Sequence, residues 1–419
     1  MVMSTSTSTQ HTHRQGRFFR ALAGLALIAS VPAASAAVTW NDIQFGGFAS
    51  QGFLVNSGDN DYLGDTSEGT FDFREYAANA SYARGTWRIG AQAFGQKIGE
   101  YGDDEIRLDW ATIDFQPAQW LGFRAGRVKM PRGLYNEALD VDSVRPFVLL
   151  PQSVYDARLR DFNASFDGGM TFGNIGLGRF GSLDYRLFYG DIPMKTDSGA
   201  NDYFNNDVPY PNVKIGMEAA FGGTLFWNTP VQGLRTGYSY SGFKDFGADR
   251  LLSMEIPDFG LIEFIMYRTT ERYDRHLLSA EYVTGDWVFA AELGKETADF
   301  GIGMPGEGPI GFLAVDNTYG YVSAARRVNA WLELGAYYSY SKDTQKSVAI
   351  VGGLDFPDLE QHDIALSARF DLRENLLFKV EAHYMDGAGK IFDTPAKPQP
   401  LASRDDSWVL LAAKMTVWF

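Results

Sequence analysis

The chain has 419 residues, with 37 Lys+Arg against 52 Asp+Glu, 45 Gly, 15% aromatic residues and no Cys. A balance of −15 speaks against a nucleic-acid binder, because a phosphate backbone is held by clustered cations, and the lack of Cys removes disulfide scaffolds, thiolate metal sites and Cys nucleophiles. Apart from one stretch near the N-terminus, nothing approaches the roughly 18 consecutive apolar residues of a membrane helix, a criterion that strands of alternating polarity escape.

That stretch comes first in the chain. Residues 1–20 are polar and carry Arg14, Arg17 and Arg20 with no acid; an apolar run from Ala21 to Val31 follows, then Pro32 and the small residues Ala34, Ser35 and Ala36. A charged leader, a short apolar core and a small-residue cleavage site predict a secretory signal peptide over 1–36. The run is too short for an anchor, and Pro32 breaks its end. Cleavage removes three cations and no acid, so the mature chain, read as one domain over 37–419, stands at −18.

The mature chain repeats period-2 alternation, the pattern of strands with one apolar and one polar face. It is clearest at Leu183, Tyr185, Leu187 and Tyr189, at Leu332, Leu334, Ala336, Tyr338 and Tyr340, at Ile364, Leu366, Ala368 and Phe370, and at Leu376, Phe378, Val380, Ala382 and Tyr384. Short links are expected at 83–85, 117–119, 173–180, 228–233, 284–286, 328–329 and 372–375. Long polar links lie at 56–69, 98–104, 131–161, 191–211, 244–274, 297–316, 341–361 and 386–406. Strict alternation of seven short and eight long links implies sixteen strands with both termini on the short-turn side. A soluble sandwich has no reason to sort its links this way, whereas a transmembrane antiparallel β-barrel does. Within the long link 244–274, Leu261 to Tyr267 alternates like a strand, predicting a hairpin above the membrane or a subunit contact.

Tryptophan placement agrees. Trp87, Trp120, Trp227, Trp287 and Trp331 adjoin short turns and Trp418 ends on the same side, the positions of an interfacial girdle. The last strand ends Val409, Leu411, Ala413, Met415, Val417 and Phe419 in alternation. This resembles the terminal signal of Gram-negative outer-membrane proteins, which implies the barrel assembly machinery as a partner acting through the Phe419 strand. With the leader and the link pattern, the whole mature chain resembles a sixteen-stranded general or substrate-selective porin, although no substrate motif carries the likeness. The resemblance implies a homotrimer in the outer membrane, in contact with its lipid and lipopolysaccharide, whose third external loop folds into the lumen.

That loop would be 131–161, which contains the apolar run Arg145-Pro146-Phe147-Val148-Leu149-Leu150-Pro151; a trimer contact or a packed external loop is the alternative. Around it stand Arg127, Lys129, Arg132, Arg145, Arg158 and Arg160 against Glu137, Asp140, Asp142, Asp156 and Asp161, a local sum of +1. Opposed cations and carboxylates across a narrow passage would orient anionic or dipolar solutes. Strand parity places Arg88, Arg107, Asp109, Arg186, Glu333, Arg369, Lys379, Glu381 and Lys414 toward the lumen, for most of them as ordinary charges in a watery interior. Parity with Leu121, Phe123 and Ala125 sends Arg127 outward unless a bulge shifts its phase.

A weak calcium candidate is Asp59, Asp61 and Asp65, where Leu63 and Thr70 occupy two ligand positions; the plainer reading is a solvated acidic loop. No other metal and no cofactor is expected. External acids such as Asp103, Asp104 and Glu105 could hold divalent ions that bridge lipopolysaccharide phosphates. Catalysis would require an activated nucleophile, yet the mature chain offers only His276 and His362 near the external rim and His383 toward the lumen, with no nucleophile elbow. The expected function is therefore passive diffusion of small polar solutes, anion- or carboxylate-preferring. The alternatives are a non-selective or cation-preferring pore, and a barrel enzyme or adhesin.

Overall fold

The computed structural model describes residues 38–40, 42–204, 211–256, 260–349, 359–392 and 399–419; the expected signal peptide lies outside them. Sixteen strands follow one another around the barrel: β1 Ile43–Asn56, β2 Phe73–Arg84, β3 Trp87–Ile98, β4 Arg107–Ala118, β5 Leu121–Lys129, β6 Ser165–Gly176, β7 Ser182–Asp191 and β8 Ala219–Asn228. There follow β9 Leu234–Ile256, β10 Gly260–Thr284, β11 Trp287–Gly303, β12 Pro309–Arg327, β13 Leu332–Ala349, β14 Leu359–Arg373, β15 Leu376–Asp386 and β16 Ser407–Trp418. Each pairs antiparallel with the next, and β16 closes on β1 from Leu410 opposite Asn56 to Trp418 opposite Phe48. Closure leaves no edge with unpaired backbone groups, which hydrocarbon would not satisfy. Two short strands are added, Val38–Trp40 along β1 and Asn212–Gly216 along β9.

Alternation sets the faces. On β13, Leu334 and Tyr338 are exposed on the outside, whereas Tyr337 and Ser339 are buried inside. The five turn-side tryptophans from Trp87 to Trp331 are exposed on the outer surface near the short links. Three long links are shorter than the sequence suggested: β9 and β10 stay paired as far as Ile256 opposite Gly260, β11 and β12 as far as Gly303 opposite Pro309, and β13 runs on along β12 to Ala349 beyond its last pair with β14, Asp343 opposite Leu359. Alternation persists there, so the ladder continues to satisfy the backbone beyond the apolar band. The expected hairpin at Leu261 to Tyr267 is the start of β10, paired from Leu261 opposite Glu255 to Tyr267 opposite Asp249.

The inside of the barrel is packed at its external half. Val128, Phe162, Phe166, Phe188, Phe243 and Tyr273 form one buried cluster, with Phe204 of the helix Gly199–Phe204 against it. A second gathers Leu54, Tyr62, Phe73, Val148, Leu149 and Trp408.

Candidate functional site

The chain between β5 and β6 makes its contacts with side chains of distant strands. At its start Gly133 has φ +57, and a Cβ there would lie 2.5 Å from a Glu292 carboxylate oxygen, so glycine is required on both counts. The Gly133 and Leu134 amides donate to the Ser239 hydroxyl at 2.9 Å and to Glu292 at 3.0 Å. Glu292 also accepts from the hydroxyls of Ser279, Tyr155 and Tyr321. Arg132, 3% exposed, donates to the Val154 carbonyl at 2.8 Å and the Tyr319 hydroxyl at 3.1 Å.

Further along, Asp142 is gripped by Lys379 at 3.0 Å, by the Thr416 hydroxyl at 2.7 Å and by Arg145 at 3.2 Å, with Lys414 at 3.7 Å. Burial acts to raise this carboxyl, but Lys379, Lys414 and Arg145 outweigh it and hold it well below the ordinary carboxylate range. Lys379 donates again to the carbonyl of Phe147 at 3.1 Å, and Arg369 to that of Ser143 at 2.6 Å. The Val148 and Leu149 amides donate to Glu381 at 2.8 and 3.0 Å, and Glu381 is held in turn by His383, whose other ring nitrogen meets Asp363 at 3.0 Å. Lys414 pairs with Glu75. Lys379, Lys414, Glu381 and Arg369 thus lie inside the barrel, fixing the connecting segment rather than facing open water.

On the opposite wall the charges are arranged differently. Lys129 Nζ lies 2.7 Å from Asp109 and 2.5 Å from Asp140, and Arg160 lies 2.9 and 2.7 Å from the same two carboxylates, a square of four charges. Gln92 donates to Asp109 at 2.9 Å. Above the square the wall is incomplete: β4 meets β5 only from Ala111 opposite Arg127 onward, and a register shift at Asp109 breaks its ladder with β3. A cavity of about 420 Å³ fills this place, lined by Phe94, Arg107, Arg160, Asp161, Lys195 and Asp197 among others. Arg107 bridges Glu105 at 2.6 Å and Asp161 at 3.1 Å across it. On the short-turn side of the square, Arg186 meets Glu137 at 3.3 Å and Arg124 meets Asp114 at 2.7 Å. Arg235 with Glu281, and Arg327 with Glu333 and Asp371, continue the set, while Arg88 stands opposite Asp114 in register.

Several expectations change. Arg127 keeps the parity of Phe123 and Ala125, with no register shift between them, and pairs with Asp167 at 2.7 Å, yet where the wall is incomplete it also lines the cavity with Arg107 and Arg160. Arg132, Arg145 and Arg158 are buried against partners in the segment and on the wall, Arg158 on Asp156 at 2.7 Å and on the Lys390 carbonyl at 2.5 Å; of the three, Arg158 also lines the cavity beside Arg160. The local excess of one cation is absorbed by partners on the wall. The calcium candidate fails as well: Asp61 caps Ser67 through amide and hydroxyl at 3.0 and 2.6 Å, and among the described residues no three acidic, His or Cys side chains are placed to hold a metal. Missed by sequence reasoning were Arg124, Arg235 and Arg327; the parity that placed Phe123 outward already put Arg124 inside.

No family model matches the sequence, and no curated protein matches it either. Solved structures do match the fold. OmpT of Vibrio cholerae in its trimer form superposes with TM-score 0.51 at 12% identity, over 92% of this chain and 100% of that one. The anion-selective porin from Comamonas acidovorans gives 0.52 at 12%, over 90% and 99%. Salmonella typhi OmpF, in a complex with daunomycin, gives 0.52 at 14%, over 91% and 99%. At these identities the likeness is one of fold, that of the sixteen-stranded porins of bacterial outer membranes.

Proposed function

We propose that this chain, which has the porin fold, is an outer-membrane pore for passive diffusion of small polar solutes, and that residues 131–161 are the inward loop that narrows it. The solute path runs off-centre, between Glu137, Asp140, Arg160 and Asp161 of that segment and the inner wall of β3 to β7. The observation that carries this reading is the cavity of about 420 Å³ lined by both guanidinium and carboxylate groups and ending on the square of Asp109, Lys129, Asp140 and Arg160. Fixed charges in a confined, low-dielectric passage sort solutes by charge and orient dipoles.

Preference for anions such as carboxylates rests on the arginines of the short-turn mouth. Arg88, Arg124, Arg186, Arg235 and Arg327 project from five strands, with Asp114, Glu137, Glu281, Glu333 and Asp371 among their partners. The test is the reversal potential of the purified protein in a planar bilayer under a potassium chloride gradient. A sign set by chloride is expected, and one set by potassium replaces this reading with a cation-preferring or general pore. Absence of conductance steps defeats the channel in favour of a barrel enzyme or adhesin.

The signal peptide and the terminal Phe419 strand support export and insertion by the barrel assembly machinery, and the homotrimer is part of the same proposal.

A further inference from the structure

The outer surface holds a repeated constellation that the pore does not use. On β9, Tyr238 and Tyr240 flank Ser239, and His276 of β10 stands opposite Tyr240, its Nδ1 2.6 Å from the Tyr238 hydroxyl. On β13, Tyr338 and Tyr340 flank Ser339, and His362 of β14 stands opposite Tyr340, its Nδ1 2.7 Å from the Tyr338 hydroxyl. Between the two copies lies an apolar groove of about 670 Å³. Its shape follows from the register. Tyr238, Leu278, Leu293, Gly320 and Tyr340 form one row across β9 to β13, and Thr236, Ala280, Ala291, Val322 and Tyr338 the next row toward the short turns. Ala280, Ala291 and Gly320 make a low floor between Leu278, Leu293 and Val322, which are 57%, 59% and 57% exposed.

The row on the other side, toward the long loops, is polar: Tyr240, His276, Lys295, Thr318 and Lys342. Lys295 is half exposed and pairs with Asp316 at 3.1 Å, an open surface pair that a more highly charged anion can displace. Imidazole, ammonium and hydroxyl groups directly above an apolar trough match an amphiphile with an anionic head and a hydrocarbon tail. A channel-lining role is ruled out because these side chains face outward. The acids Asp274, Asp316 and Glu360 on the same rim compete with the head, which therefore has to carry more than one negative charge.

We propose that this groove is a binding site for a phosphorylated lipid of the outer leaflet, with one acyl chain between Tyr238 and Tyr338 and a phosphate on Lys295 and His276. It rests on the reading of the barrel as an outer-membrane protein, because only there do the long-loop ends of β9 to β14 meet that leaflet. The test uses delipidated, detergent-solubilised protein titrated with synthetic lipid A and read by native mass spectrometry. One lipid A retained per chain is expected. Lys295→Glu and Ala291→Phe, which reverse the charge and fill the groove, should each reduce retention several-fold; His276→Gln, a milder change, should reduce it less. Single-channel conductance of all three should stay at the wild-type level, so loss of lipid retention and loss of pore activity are separate outcomes. Retention equal in wild type and variants, no retention by wild type, or complete displacement by inorganic phosphate overturns the proposal. So does conversion of a wild-type oligomer to monomer by Ala291→Phe, which assigns the groove to a second copy of the chain.

Discussion

Asp142 is where one side chain decides most. It is the shared counter-charge of Lys379, Lys414 and Arg145, all buried, and Asp142→Asn leaves those cations short of a partner. Removing one member of a buried charge group costs about 3–5 kcal/mol, and the expected result is a clear drop in the thermal unfolding midpoint followed by circular dichroism in detergent. An unchanged midpoint would show that water reaches these groups. The arginines separate into two kinds that sequence alone could not tell apart. Arg132 and Arg145 donate to the segment and its wall, so their neutral variants should make single-channel currents noisier while leaving the reversal potential in place. Arg186, about a third exposed beside Glu137, should shift the reversal potential away from chloride when changed to Gln. Residue types and parity identified the charges, but which of them face water depends on which carbonyls and carboxylates lie within reach, and those come from the far side of the barrel.

At the scale of elements, strands were legible and loops were not. A strand announces itself by period-2 alternation because its two faces meet different solvents, and the short links, the Trp positions and the hairpin at Leu261 to Tyr267 followed from that. A loop has no such period. The helix Gly199–Phe204 had no signal in the sequence, yet it sits beside Arg158 and Tyr101 and sends Phe204 among Phe162, Phe246 and Tyr273. Within it Asp202 is pushed up to about 6 by burial and by Glu100, against the opposing effect of Arg158. Its docked state therefore takes up a proton more readily than the free loop. Docking is firmest below the ordinary carboxylate range and weakens as pH rises through about 6. Partial exposure reduces the effect to the order of 1 kcal/mol. Hydrogen exchange of 195–204, corrected for intrinsic rates, should show more protection at about pH 5 than at about pH 8, and Asp202→Asn should remove that difference. Equal protection of the wild-type helix at both pH values would detach Asp202 from the docking.

For the whole molecule, the barrel presents a low outer face where Ala78 stands opposite Ala93 and Ala80 opposite Ala91, unlike the bulky apolar face of β10 to β14. Small side chains let two barrels approach closely, so the contact of the proposed homotrimer falls there. Ala91→Arg with Ala93→Arg should turn a cross-linked trimer into monomers that still conduct; trimers that persist would move the contact elsewhere. The sequence by itself determined the closed sixteen-stranded barrel, its sidedness and its girdle, because lipid outside and water inside impose one alternating pattern on every crossing, residue by residue. Only the tertiary structure decided how the interior charges divide. Lys379, Lys414 and Glu381 hold the segment between β5 and β6, while Arg107, Lys129, Arg160 and Arg186 frame the proposed path, because a charge's role is set by partners tens to hundreds of residues away that the fold brings within a hydrogen bond.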